Sequence, residues 1–237
     1  MPITIDSSLV AALRTMAGAR VWFGHQSVGG NILDGIAALA EEAGVPFRVE
    51  DAAIGANGQP VAKFEDFARR AERDPADGLQ LMAMKLCYVD LPPETDVAAL
   101  LVAYRGAVER ARKARPGLRI LHVTPPLTVR PTGLKTGLRR LIGSSVWGDQ
   151  CNLRRLEFAE GLRRMFTADP IFDLAAAEST APTGVREQHP VGGRTVPALW
   201  GGYTDDGGHL NETGKRVVAR AFVQALAAAL TKQTHEA

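Results

Sequence analysis

The chain has 237 residues, 46% of them hydrophobic and 23% charged, which excludes disordered, collagenous and fibrous classes and suits an ordinary globular protein. Lys and Arg number 28 against 26 Asp and Glu, a formal net charge of +2, so a nucleic-acid or anionic-membrane surface is not expected as the main business of the fold. This length buries a full hydrophobic core, and a single domain over 1–237 is expected.

The opening MPITIDSSLVAALRTMAGAR has no basic-then-apolar leader layout, and no apolar run is long enough to span a bilayer. As written the chain reads as cytoplasmic; an exported protein trimmed of its leader would read the same way. Strands are expected at residues 19–23, 47–49, 79–85, 119–123 and 170–173, where short apolar runs alternate with longer amphipathic stretches. Helices are expected at 31–43, 96–114, 153–165 and 212–230, each with apolar residues at helical spacing, such as Ile32, Ile36 and Leu39 in the first. The alternation predicts an α/β fold, a central parallel sheet with helices on both faces. Two long stretches, 124–149 and 175–206, break the rhythm and read as loops that are functional or disordered.

In an open parallel sheet the ligand crevice lies beyond the carboxyl ends of the strands. The first strand, ARVWF, runs into GHQSVGGN and then into a helix, so Ser27 falls at a helix N-terminus, where free N–H groups and the helix dipole favour a developing oxyanion. Taken alone, Ser27 reads more simply as a helix cap. The segment DDGGHLNETG adds Asp206 and His209, three residues apart on a turn before the last helix, with Asn211 as its N-cap. A carboxylate so placed can hold the imidazole by Nδ1–H and leave Nε2 free to take a hydroxyl proton. Nucleophile, base and orienter would then all be present. His122, inside a strand, reads as a core histidine. Cys87 reads as a small buried residue at a strand end. Arg130, Lys135, Arg139 and Arg140 form a basic stretch in the first long loop, read as solvated surface or as a contact for an acidic substrate.

These two blocks, FGHQSVGGNIL and DDGGHLNETG, resemble those of the SGNH (GDSL-type) hydrolases. The resemblance implies a flavodoxin-like three-layer α/β/α sandwich and a serine esterase with Ser27 as nucleophile, His209 as base and Asp206 as its orienter. It implies no cofactor and no metal, and a small-molecule or carbohydrate ester as substrate, such as an O-acetyl, small lipid or thioester. An acyltransferase or a catalytically silent binding domain would share the same blocks. The family's oxyanion hole maps onto the Ser27 N–H and onto Gly55 or Gly58 in AIGANG. Its Gly-x-Asn-Asp block falls on Cys87, Tyr88, Val89 and Asp90, so the oxyanion Asn is missing, with the Asn57 side chain, the Tyr88 hydroxyl, Lys85 or Gln26 as replacements. His25, Gln26 and Tyr88 are expected to contact substrate.

Overall fold

A computed structural model of the chain describes residues 4–74 and 76–232; the ends of the expected 1–237 domain lie outside the described residues. In chain order the elements are α1 (Ser7–Ala17), β1 (Val21–His25), α2 (Val28–Ala43), β2 (Glu50–Ala53), α3 (Pro60–Arg73), β3 (Leu81–Met84), α4 (Val97–Ala114), β4 (Arg119–Val123), α5 (Leu134–Leu141), α6 (Trp147–Met165), β5 (Ile171–Phe172), α7 (Leu174–Ser179), β6 (Gln188–Val191), β7 (Arg194–Pro197) and α8 (Glu212–Thr231). Side-chain caps set several of the starts. Asp6, Asp96, Asp173 and Asn211 each accept a backbone N–H from the first turn of α1, α4, α7 and α8. Gly44 closes α2 in the left-handed region, with φ 62°, a conformation that favours glycine.

The five parallel strands lie in the order β2-β1-β3-β4-β5. Alternation along each strand divides the core in two. Phe23, Leu81, Ala83, Leu121 and Val123 face α1, α2 and α8, where they meet Leu13, Ile36 and Phe222. Trp22, Met82, Met84 and Ile120 face α3, α4 and α6, where they meet Phe67, Tyr104 and Phe158. The expected three-layer α/β/α sandwich with a parallel sheet is the observed fold. The chain moves outward from β1 to β2 and then returns to β3, so the strand order reverses between β1 and β3 and opens a crevice at their carboxyl ends.

Several expectations shift. The strand expected at 47–49 lies at Glu50–Ala53, an edge strand of sequence EDAA with mostly exposed side chains, while Phe47 is exposed. An edge strand buried on neither face carries no apolar run to mark it. The helices α1 and α3 were not anticipated, although α3 places Phe64, Phe67, Ala68 and Ala71 on one buried face. Both long stretches carry secondary structure: the first holds α5 and the first turn of α6, the second most of α7 and the β6–β7 hairpin. His122 is a core histidine as expected, bonded through Nδ1 to the Tyr104 hydroxyl at 2.8 Å and stacked on Phe166.

Candidate active site

β1 ends at His25 and α2 begins at Val28, leaving Gln26 and Ser27 to make the whole turn. Such a sharp reversal forces Ser27 to φ 51° and ψ −109°; among the described residues it is the one non-glycine at positive φ. A side chain held there costs about 1–3 kcal/mol and points outward at the end of the sheet. Gly29 is required close by, because a Cβ there would lie 2.2 Å from the His25 Cβ. Ser27 occupies the N-cap position of α2, yet its hydroxyl makes no capping bond. That oxygen lies instead 2.6 Å from His209 Nε2.

His209 sits in the turn before α8. Asp206 Oδ2 lies 2.6 Å from its Nδ1, and Asp206 Oδ1 accepts the backbone N–H groups of Gly208 and His209 at 2.9 and 2.8 Å. The Gly208 N–H, then the His209 ring and N–H, hold the Asp206 carboxyl well below the usual carboxylate range, so it is ionised at neutral pH. With Nδ1–H donated to Asp206, Nε2 is left to accept the Ser27 proton. Asn31, on the first turn of α2, accepts the Leu210 N–H at 3.2 Å and staples the Ser27 helix to the His209 turn. Nothing local in the sequence marks that bond, which joins segments 179 positions apart.

The structure thus brings Ser27, His209 and Asp206 together. His25 and Gln26 are engaged within the protein. His25 Nε2 pairs with Asp51 Oδ2 at 3.0 Å, and Gln26 Nε2 donates to the carbonyl of Gly55 at 2.8 Å, bracing the Ser27 turn against the 54–58 loop. Tyr88 lies edge-on to His209, ring centres 5.6 Å apart, with its hydroxyl beside Gly208. Its carbonyl accepts from Arg155 Nη2 at 2.6 Å. Arg155 is itself buried, and burial pushes its guanidinium down to about 10.

The expected oxyanion amides need correction. The Gly55 N–H donates to Asp66 Oδ2 at 2.7 Å, and the Gly58 N–H donates to Asp90 Oδ1 at 2.8 Å. Both are engaged by carboxylates, and an N–H aimed at a carboxylate is not aimed at a reacting oxygen. Between them Asn57 is exposed, on the loop that Gln26 braces. Beneath this loop lies a buried cluster that sequence reasoning missed. Asp90 Oδ2 accepts from Lys63 Nζ at 2.5 Å and from the Cys87 N–H at 2.6 Å, with both charged side chains fully buried. Lys63 interrupts the apolar face of α3, the one signal that could have revealed it. Lys85 and Glu178 are also buried nearby; burial lowers the Lys85 ammonium and raises the Glu178 carboxyl to about 8.

No protein-family model and no curated protein sequence matches the chain. Solved structures do. A Streptococcus pneumonia protein described as a candidate platelet activating factor is 12% identical with a TM-score of 0.55, the match covering 90% of this chain and 89% of that one. A Parabacteroides merdae protein described as a candidate GDSL-like lipase is 14% identical at TM-score 0.53, covering 90% and 96%. A Desulfitobacterium hafniense protein described as a candidate lipolytic protein of the G-D-S-L family is 10% identical at TM-score 0.50, covering 87% and 99%. At such identities the likeness establishes the fold, that of the GDSL, or SGNH-type, hydrolases.

Proposed function

We propose that the chain is a serine esterase in which Ser27 attacks an acyl carbonyl, His209 takes the hydroxyl proton and returns it to the leaving alcohol, and Asp206 holds the imidazole in the tautomer this needs. Water then attacks the acyl-enzyme with His209 again as base, releasing the acid and restoring Ser27. The observation that carries this reading is the unbroken chain from Ser27 Oγ through His209 to Asp206, two contacts of 2.6 Å, on a serine held in a strained backbone that a mere helix cap would not need. The Ser27 N–H, at the positive end of α2, and the Asn57 side-chain amide are the proposed oxyanion donors.

Exposure of the site supports a substrate class. The side chains of His209 and Asp206 are 44% and 57% exposed, so the reacting groups sit at an open surface instead of a deep cleft. An open site fits an acyl group displayed on a larger molecule, an O-acetylated sugar or a small lipid ester. The same exposure favours hydrolysis over acyl transfer, which must keep water from the acyl-enzyme. The test is product analysis with p-nitrophenyl acetate in the presence of an added alcohol. Free acetate is expected as the main product; a new ester in excess of acetate would make the protein an acyltransferase, and silence across a panel of acyl esters would make it a binding domain.

A further inference from the structure

The segment after β4 turns a helix inside out. A surface helix ordinarily buries its apolar stripe. In α5 no residue is buried: Leu134 is 96% exposed, Leu141 83%, and Leu138 59%. Ile142, just after the helix, and Trp147, at the start of α6, are exposed as well. What holds the helix to the body is its polar back. Arg140 donates through Nε and Nη2 to the buried Asp149, both at 2.9 Å, and through Nη2 to the Pro131 carbonyl at 3.0 Å. His189 Nε2 meets the same Asp149 carboxylate at 3.0 Å. At 100° per residue, Leu134, Leu138, Leu141 and Ile142 share one face, and Lys135 and Arg139 border it.

From this arrangement we infer that α5 and Trp147 dock the protein on an anionic lipid surface. Charge selects the occupant. No Asp or Glu occurs between Glu109 and Asp149, and along α5 the residues that border the apolar face are the cations Lys135 and Arg139. The near-zero charge of the whole chain hides this local concentration. A second copy is a poor occupant, because a two-fold contact sets the patch against itself and brings these cations face to face. An anionic bilayer offers apolar depth for the leucines and the indole, and phosphate for the rim, the layout of a helix lying in the membrane interface. The segment that leads from β4 into α5 also touches the turn of the site. The Val129 N–H, in the same post-β4 segment, donates to the Gly207 carbonyl at 3.0 Å, in the turn that carries Asp206 and His209. Docking would present that turn to esters at the lipid surface, although the binding itself does not depend on the esterase reading.

The experiment is co-flotation of the full chain with phosphatidylcholine vesicles, with and without phosphatidylglycerol, using Ser27→Ala so that no turnover perturbs the lipid. The protein is expected to float with the phosphatidylglycerol vesicles only, with Trp147 emission shifted to the blue and the shift absent in Trp147→Phe. Lys135→Glu/Arg139→Glu is expected to weaken binding by at least about fivefold per charge removed. Leu134→Ser/Leu138→Ser/Leu141→Ser is expected to abolish it while leaving p-nitrophenyl acetate turnover unchanged in the Ser27 background. A chain that stays unbound on anionic vesicles, a triple variant that floats as well as the parent, or a dimer that the triple variant dissolves without any vesicle binding would each overturn the inference.

Discussion

Ser27→Ala is expected to lower kcat/KM for p-nitrophenyl acetate by at least about 10⁴-fold, to the residue of catalysis that binding and oxyanion donors alone supply. The magnitude follows from chemistry in which the missing atom forms the covalent bond. His209 then has no hydroxyl to deprotonate, and water at that position is a poorer nucleophile without the preset geometry. A companion variant separates catalysis from architecture. Ser27→Gly removes the same oxygen and also the Cβ that makes φ 51° costly. It is expected to be as inactive as Ser27→Ala and more stable than it, by about 1–3 kcal/mol in urea unfolding. Equal stability would mean that the turn carries no strain. Wild-type turnover in either variant would remove Ser27 from the mechanism.

The second large effect is on stability. Asp90→Ala is expected to lower the unfolding free energy by about 3–5 kcal/mol, the cost of leaving one member of a buried ion pair without its partner. Here the loss falls on three donors at once, the Lys63 ammonium and the N–H groups of Cys87 and Gly58, all meeting one fully buried carboxylate. For a chain of this size each kcal/mol moves Tm by roughly 2–4 °C, so a drop of the order of 10 °C is expected in a thermal melt. Lys63→Met/Asp90→Leu, which removes both charges, is expected to recover part of it. A melt of Asp90→Ala that coincides with the parent would show that the carboxylate is not what ties α3 and the 55–58 loop to the segment after β3.

What could be read in advance divides along physical lines. β4 was legible to the residue because a central strand covered on both faces carries a mostly apolar run, and α8 because Asn211, its N-cap, sits just ahead of the apolar period. Ser27, Asp206 and His209 were legible because each lies at a strand end or helix start, where local pattern and chemistry coincide. β2 was not, since an exposed edge strand has no apolar signature. α5 was missed for the opposite reason: its leucines are periodic but face outward, and no packing explains them. The partners of the Gly55 and Gly58 amides are tertiary, and no spacing rule points from Gly58 to a carboxylate 32 positions on. The Lys63 and Asp90 pair is of the same kind, with only a lysine on an apolar helix face to announce it.

The central claim is that Ser27 is a nucleophile because His209 draws on its proton. The most direct measurement is reaction with a fluorophosphonate followed by peptide mass mapping of the intact wild-type chain and of His209→Ala. A single adduct on the peptide that contains Ser27, absent or strongly slowed in His209→Ala, is the predicted result. An adduct on a different residue, or ester turnover that persists while Ser27 stays unmodified, would contradict it.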